Sequence, residues 1–241
     1  MAAFDVIVSL LSYTASFFSV LLNGSPIVMA RAYEKNGSIG GNTNIFLGAV
    51  LFSTVTWSTY GLFKSIVPMM ISNALGNAVA TYSSLVFLSV ARREEKIRKK
   101  LDATTYMKSL FTYFFFVFIS VAHLLICVAL IAAGKFSTAS AFTGIEATFA
   151  GIFMISSPLL QFKHIVQTKN AASLAPLTVC FAFFNALCWT IVGVMQMDIV
   201  VFFCNFLCLL AAIAQMVLLF MYGRKEEAHE DHVAEAVVPF D

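Results

Sequence analysis

Two tryptophans and two asparagines recur with the same spacing in the two halves of the chain. Trp57 and Trp189 are the only tryptophans, and each is followed sixteen residues later by an asparagine, Asn73 or Asn205. An asparagine amide offers donors and acceptors without charge, and a tryptophan offers a broad apolar face and one N–H. Together they suit a neutral solute with hydroxyl groups on its rim and C–H groups on its faces. They suit metal ions and phosphates poorly.

These residue types also have structural roles in membrane helices. An asparagine can join two helices by hydrogen bonds, and a tryptophan near a helix end can anchor the helix at the membrane surface. The matched spacing in the two halves favours the binding role for both pairs.

The elements that carry these residues are apolar enough to lie in a membrane. Of 241 residues, 60% are hydrophobic and 12% charged, and the mean hydropathy is +0.86. A soluble domain carries about 25% charged residues, so the composition argues against a soluble enzyme and a nucleic-acid-binding surface. The five cysteines fall inside apolar runs, so neither a metal site nor a disulfide framework is expected. A membrane helix needs about 20 apolar residues, and seven stretches satisfy this: 6–30, 45–63, 66–91, 109–133, 140–162, 174–197 and 199–222.

Lysine and arginine are distributed unevenly between the two sides of the predicted membrane. With seven spans, thirteen of the fifteen lie on one side, and only Lys64 and Lys135 lie on the other. Cytoplasmic loops carry the excess of Lys and Arg, so the N-terminus is predicted outside and the C-terminus in the cytosol, in the plasma membrane. The basic run 92–100 is expected to fix this topology rather than to bind a particular anionic lipid.

The two halves of the chain are related by a constant offset, the one that places Trp57 on Trp189. We call residues related by this offset equivalent. Within residues 25–80, eight equivalent pairs are identical without a gap. In chain order they are Ser25/Ser157, Pro26/Pro158, Phe52/Phe184, Trp57/Trp189, Gly61/Gly193, Asn73/Asn205, Leu75/Leu207 and Ala80/Ala212.

This repeat predicts four segments in the chain. They are a first three-helix repeat (1–91), a basic loop with a linker helix (92–135), a second three-helix repeat (136–222) and a cytosolic tail (223–241). A three-helix repeat begins and ends on opposite sides of the membrane. The linker helix returns the chain to the first side, so the two copies are parallel. In membrane transporters built from two parallel repeats, the substrate sites lie near the membrane midplane, at the interface between the repeats.

The same motifs also follow the same order in both halves. The first half reads SPIVMARAYEKNG, LFSTVTWSTYGLFK and ISNALGN, and the second reads SPLLQFKHIVQTKNAASLAPLTVCFAFFNALCWTIVGVMQMD and then FFCN. Over residues 10–222 this ordered set resembles the SWEET family of sugar transporters, within the PQ-loop superfamily. The resemblance implies an all-α membrane protein with seven transmembrane helices, arranged as two parallel three-helix bundles joined by a linker helix (3+1+3).

The resemblance also implies a function. Such a protein is a facilitative, bidirectional carrier of mono- or disaccharides that works by alternating access, without ions, ATP or a cofactor. The expected partners are a small neutral sugar and the lipid bilayer, and no nucleic acid. Association into a homo-oligomer stays open.

Site residues follow from the family pattern position by position. The substrate-binding positions are Asn73, Asn205, Trp57, Trp189, Ser53, Asn185, Ser19, Leu22, Gly151 and Met154. The outer-gate positions are Tyr60, Lys64 and Asp198. The inner gate of the family is a set of four prolines, and the corresponding positions here are Pro26, Asn44, Pro158 and Pro176. The fourth proline is therefore missing, and Asn44 stands in its place.

Two other functions stay open at this point. A proton-coupled PQ-loop exporter of amino acids needs an ionisable group within the spans, and Glu146 and His123 are such groups. The second half lacks the Pro-Gln pair of that class, which weakens this alternative, and for Glu146 and His123 a structural, locally paired role is expected. A seven-helix receptor would not show the repeat. An enzyme is not expected, because the spans contain no set of nucleophile and base.

Overall fold

The computed structural model describes residues 2–40, 42–98, 103–172 and 174–223, without the side chains of residues 2, 97–98, 103–104, 155–161 and 164. The predicted cytosolic tail after residue 223 lies outside the described residues. All regular secondary structure in the described residues is helical. The helices are α1 (Ala2–Asn23), α2 (Ser25–Asn36), α3 (Ile45–Phe63), α4 (Val67–Arg98), α5 (Ala103–Ala132), α6 (Phe136–Thr168), α7 (Pro176–Met195) and α8 (Ile199–Tyr222).

The first predicted span is interrupted in the structure. Residues 6–30 were expected to form one helix, but α1 ends at Asn23 and α2 begins at Ser25. Pro26 lies in the first turn of α2. Its backbone nitrogen has no hydrogen to donate, and in a continuous helix its ring would clash with the backbone carbonyl four residues earlier. The Ile27 N–H therefore donates to the Gly24 carbonyl at 3.1 Å, in a tighter turn.

Six segments of the described chain have the length and composition of membrane spans. They comprise α1 with α2, and then α3, α4, α5, α7 and α8. The fifth predicted span, 140–162, lies within α6, which is not among the six although its 33 residues extend over about 50 Å. Its first half contains Glu146 among small and polar residues. Residues 155–161 of this stretch lie outside the side-chain description and outside that comparison of length and composition, and the packing of α6 against α3 and α8 identifies it as the seventh span.

The helices pack as two three-helix bundles with a linker helix. In the first bundle α4 packs against α1, α2 and α3, and in the second bundle α8 packs against α6 and α7. The bundles meet where α1 contacts α7 and where α3 contacts α6. Helix α5 packs against α3, α4 and α6. This is the predicted 3+1+3 arrangement.

The turn after α3 and the turn after α7 have the same backbone structure. The equivalent residues Ser65 and Met197 both have positive φ angles, of 55° and 52°. The Ile66 N–H donates to the Gly61 carbonyl at 2.8 Å, and the equivalent bond from Asp198 to the Gly193 carbonyl is 2.9 Å. Both turns are Schellman motifs, in which a left-handed residue ends a helix. The sequence repeat is thus also a structural repeat.

Gly61 and Gly193 are shared by the two repeats because the chain returns close to each of them. A Cβ atom on Gly61 would lie 3.0 Å from the Met70 nitrogen, and one on Gly193 would lie 2.5 Å from the Phe202 nitrogen. Met70 and Phe202 are themselves equivalent residues. A side chain at position 193 would collide with the Phe202 backbone and one at position 61 would be tightly crowded, so each hairpin closes tightly at the same end of its bundle.

Candidate functional site

A cavity of about 150 Å³ lies between the two bundles. Each bundle supplies helices to its wall, and none of the described lining side chains is charged. The described lining residues are Ser19, Leu22, Asn23, Trp57, Met69, Asn73, Asn185, Trp189 and Asn205. Seven of the ten predicted substrate-binding residues are brought together here.

The other three predicted binding residues do not line this cavity. Gly151 is covered by Cys204, whose Sγ atom would lie 3.4 Å from a Cβ on the glycine. Met154 packs against a buried cluster that contains Val50. Ser53 is half-buried, and its carbonyl accepts a hydrogen bond from the Thr56 hydroxyl at 2.9 Å.

Asn23 and Met69 line the cavity but were not predicted to do so. Each lies four residues from a predicted lining residue on the same helix, Asn23 after Ser19 and Met69 before Asn73. Residues four apart share a helix face, so this spacing was the signal for both. Asn23 is further positioned by Gly76, where a Cβ atom would lie 2.5 Å from the Asn23 Nδ2.

The matched asparagines have the same local geometry in both bundles. Asn73 Nδ2 donates to the Met69 carbonyl at 2.9 Å, and Asn205 Nδ2 donates to the Val201 carbonyl at 2.8 Å. Both acceptors lie one turn earlier on the asparagine's own helix. No described residue bonds to either side-chain carbonyl, so each asparagine retains an acceptor for a solute.

Ser19 is the centre of a polar network that joins α1 to α7. Its hydroxyl accepts from Asn185 Nδ2 at 2.6 Å and from Trp189 Nε1 at 3.2 Å, and donates to the Ala15 carbonyl at 3.1 Å. Asn185 Nδ2 also donates to the Ala15 carbonyl, at 2.9 Å. These bonds fix Asn185 and Trp189 in the cavity wall before any solute enters.

The three predicted outer-gate residues are in contact. The Tyr60 hydroxyl donates to the Asp198 carboxylate, with distances of 2.8 and 2.9 Å to its two oxygens. Lys64 Nζ lies 3.4 Å from Asp198 Oδ2. Asp198 also caps α8, because Oδ1 accepts from the N–H groups of Val200 and Val201, both at 3.1 Å. We call Tyr60, Lys64 and Asp198 the outer latch.

A second cavity, of about 580 Å³, lies on the outer side of this latch. Its lining includes Asp5, Lys64, Gln196 and Asp198. On the inner side of the latch, the Tyr60 ring packs edge-to-face on Trp57, with centroids 5.9 Å apart. Since Trp57 lines the central cavity, the latch separates an outer vestibule from that cavity.

The four inner-gate positions differ in their surroundings. Pro26 is buried at the start of α2, and Pro176 is exposed as the first residue of α7. Asn44 is 2% exposed, and its Nδ2 donates to the Ser109 carbonyl on α5 at 2.7 Å. Pro158 lies in α6, in the stretch whose side chains are outside the description. The residue that replaces the fourth proline therefore ties the start of α3 to the linker helix.

Glu146 and His123 contact each other away from the central cavity. His123 Nδ1 on α5 is hydrogen-bonded to Glu146 Oε2 on α6. The His123 ring is stacked on Phe142, and Cys127 Sγ lies 3.3 Å from Thr143 Oγ1. The expected local pairing of these two ionisable residues is present, and it joins α5 to α6.

Comparisons with known proteins agree with this architecture. The family described as "Sugar efflux transporter for intercellular exchange" matches residues 9–95 and 141–227. The bidirectional sugar transporter SWEET7b of Oryza sativa subsp. indica is 27% identical over 187 residues, which are 76% of this chain and 65% of that protein. The match thus spans slightly less than two thirds of that relative. The bidirectional sugar transporter SWEET4 of the same subspecies is 22% identical over 247 residues, covering 98% of this chain and 91% of the relative.

A solved structure supports the fold independently. A eukaryotic SWEET transporter superimposes with a TM-score of 0.73 at 17% identity, covering 91% of this chain and 98% of the other. The family match includes most of both bundles and leaves out the whole of α5, the linker helix. The chain therefore belongs to the family of sugar efflux transporters for intercellular exchange.

Proposed function

We propose that this protein carries a small neutral sugar across the membrane in both directions by alternating access, without coupling to ions. The observation that supports this most directly is the central cavity, whose described lining combines two tryptophans with four asparagines and no charge. Sugar hydroxyls exchange hydrogen bonds with water for bonds with amides, and the sugar C–H faces pack on indole rings.

The proposed binding mode uses groups that have no partner among the described residues. The side-chain carbonyls of Asn73 and Asn205 accept from sugar hydroxyls, one from each bundle. The volume of about 150 Å³ equals that of about five waters at roughly 30 Å³ each. A monosaccharide suits this volume better than a disaccharide, which would require the cavity to widen.

Alternating access requires that the two ends of the cavity open in turn. The outer latch supports this proposal because it closes one end with contacts between the two bundles: Tyr60 belongs to the first, and Asp198 to the second. A hydrogen bond to a charged group contributes about 1.5–3 kcal/mol, enough to shift a two-state equilibrium by roughly ten- to a hundredfold. Breaking it opens the path from the vestibule.

The inner end is proposed to open through the proline positions. A proline in a membrane helix leaves a backbone carbonyl free and permits bending. Pro26 already divides α1 from α2. Asn44 leaves no backbone carbonyl free in this way. We therefore expect the inner end of α3 to stay in contact with α5 while the segments with Pro158 and Pro176 move.

We further propose that the N-terminus is outside, the C-terminus is cytosolic and the membrane is the plasma membrane. The distribution of Lys and Arg supports this orientation. The proposed segments are 1–91 for the first repeat, 92–135 for the loop and linker, 136–222 for the second repeat and 223–241 for the tail. One chain supplies both walls of the cavity, so transport requires no homo-oligomer.

The proton-coupled alternative has less support. A coupling carboxylate has to exchange protons in step with the solute, but Glu146 contacts His123 at the interface between α5 and α6 and is not among the described lining residues. This placement favours a carrier that needs neither a proton gradient nor a cofactor.

The experiment that tests the function is uptake in cells that lack their own sugar transporters. Labelled glucose, fructose and sucrose are supplied with and without a pH gradient, and empty-vector cells serve as the control. The proposal predicts uptake of at least one monosaccharide at a rate that the gradient does not change. No uptake of any sugar, or uptake that disappears with the gradient, would contradict it.

A further inference from the structure

A groove of about 880 Å³ lies at the inner end of the first bundle and shares no described lining residue with the central cavity. It is formed by the loop before α3, the start of α3 and the start of α5. Its lining includes the apolar residues Ile45, Met107 and Phe111, whose side chains are 47%, 58% and 75% exposed. It also includes polar residues, among them Thr43, Lys108, Ser109 and Thr112.

The groove lies at the level where the membrane spans begin. Helix α3 starts at Ile45, and the apolar run of α5 starts just after Lys108. Ile45 and Phe111 are therefore on the hydrocarbon side of the groove, and Lys108 is at the membrane surface. A lipid is arranged with the same polarity, because its acyl chains enter the hydrocarbon and its headgroup stays at the surface.

The charge at this site favours an anionic headgroup. Lys108 is exposed, is the only charged residue in the described lining and has no ion pair among the described residues. The ends of α2 and α4 on this side add basic residues, including Arg92 and Arg93. Glu94 is buried. Its carboxylate accepts hydrogen bonds from Ser38 Oγ and from the N–H of Ile39, a residue that lines the groove.

We infer that this groove binds one anionic phospholipid, with its phosphate on Lys108 and its acyl chains along Ile45 and Phe111. The inference assigns the lipid to a defined groove rather than to the basic run 92–100. It requires only that the protein lies in a membrane, so it does not depend on the proposed sugar transport.

A lipid at this site would contact the inner end of α3. Asn44 and Ser109 both line the groove, and they form the hydrogen bond that joins α3 to α5. The lipid therefore adds to the contact that holds α3 on the linker helix.

The test uses the full-length protein in bilayers of equal phosphatidylglycerol and phosphatidylcholine. Lipids retained after transfer to detergent are counted by native mass spectrometry. The wild type is expected to retain phosphatidylglycerol in excess. Lys108→Gln should lower this enrichment about fivefold, which corresponds to the roughly 1 kcal/mol per basic residue near an anionic surface.

Two variants serve as controls in this test. Lys163→Gln removes an exposed lysine near the inner end of α6, outside the described lining of the groove, and should leave the enrichment within twofold of the wild type. Lys108→Arg should retain the enrichment because it keeps the charge. Gel-filtration profiles check that each variant is folded.

Several results would overturn the inference. These are an unchanged enrichment in Lys108→Gln, an equal loss in Lys163→Gln, or displacement of the lipid by millimolar inorganic phosphate, which would indicate a site for soluble anions. A lipid-free dimer that dissociates on substitution of Phe111→Ser would assign the groove to a second copy of the chain instead.

Discussion

The two interfaces between the bundles pair equivalent helices but differ in their chemistry. Between α1 and α7, Ser19 accepts hydrogen bonds from Asn185 and Trp189. Between α3 and α6, no side-chain hydrogen bond links the two helices among the described residues, and Gly144 lets the Tyr60 ring approach, since a Cβ there would lie 3.0 Å from it. One interface is fixed by polar bonds, and the other is closely packed and next to the outer latch.

The difference arises from four positions of the repeat. Ser19 is equivalent to Gly151, and Asn185 is equivalent to Ser53. Ser19 and Asn185 therefore face each other between α1 and α7, where their side chains form a hydrogen bond. Their smaller equivalents, Gly151 and Ser53, belong to α6 and α3. A repeated fold thus allows one interface to hold the cavity wall while the other is free of such bonds.

The largest expected effect on sugar flux concerns the matched asparagines, of which each bundle supplies one to the cavity. Asn73→Ala and Asn205→Ala should each lower sugar flux by at least tenfold, with surface expression unchanged, because each removes hydrogen-bonding groups from the cavity. Radiolabelled uptake and surface labelling measure the two quantities.

Asn77→Ala is the matched control for this pair. Asn77 lies one turn after Asn73 on α4, donates to the Leu51 carbonyl at 3.2 Å and does not line the described cavity. Its replacement should leave the sugar affinity near the wild-type value. Flux like that of the wild type in both Asn73→Ala and Asn205→Ala would remove these residues from the site.

The next largest effect is a difference in sugar affinity between two variants that carry the same serine-to-alanine substitution, one at each interface. Ser19→Ala leaves Trp189 Nε1 without its acceptor and takes one of two acceptors from Asn185. Because these bonds hold Asn185 and Trp189 in the cavity wall, and a hydrogen bond contributes about 1–1.5 kcal/mol, sugar affinity should fall about five- to tenfold. Ser53→Ala on α3 should change it less than twofold. Affinities from concentration-dependent uptake test this, and equal effects of the two variants would disprove the asymmetry.

A smaller effect is expected at the outer latch. Asp198→Asn weakens the bond from Tyr60 but keeps a good N-cap for α8, since Asn and Asp cap equally well. The loss of about 1 kcal/mol should raise the outward-open population about fivefold without unfolding the protein. The measurement is the rate at which an impermeant thiol reagent labels a cysteine placed near Trp57, in a background without the five native cysteines.

Asp5→Asn is the control for the latch. Asp5 lines the same vestibule but is not part of the latch, so labelling should stay at the wild-type rate. If Asp198→Asn also leaves both labelling and exchange unchanged, Asp198 acts only as the cap of α8.

The smallest effect is expected at the pair His123 and Glu146. Glu146→Gln keeps a hydrogen-bonding partner for His123, so sugar uptake should stay within about twofold of the wild type. Uptake should also be insensitive to a proton ionophore in both proteins. Accumulation that depends on the proton gradient and disappears in Glu146→Gln would favour the proton-coupled alternative.

The spans, the repeat and its matched tryptophans and asparagines were predictable because they depend on local features of the sequence, whereas the other cavity residues were predicted from the resemblance to the family. Apolar runs determine which segments enter the membrane, and rare residues such as Trp57 and Trp189 show the register of the repeat. The latch was also predicted, from the resemblance to the family, and its three residues do meet.

The remaining features depend on neighbours that the spacing does not reveal. Gly151 faces Cys204 and Met154 faces a buried cluster, so neither is among the described lining residues, although their equivalents Ser19 and Leu22 are. Asn23, one turn after Ser19 on the same helix face, was not in the predicted set, and the space that it occupies lies beside Gly76. The break at Gly24 was missed because Pro26 was considered as a hinge and not as the end of a helix.

The most direct test of the central claim is sugar equilibration in liposomes that contain only the purified protein. The account predicts that labelled sugar enters until its internal and external concentrations are equal, without any ion gradient, and that preloaded unlabelled sugar accelerates entry. The double variant Asn73→Ala/Asn205→Ala, reconstituted in equal amount, should show neither effect. Entry only in the presence of a gradient, accumulation above the external concentration, or wild-type entry in the double variant would contradict transport through the cavity between the bundles.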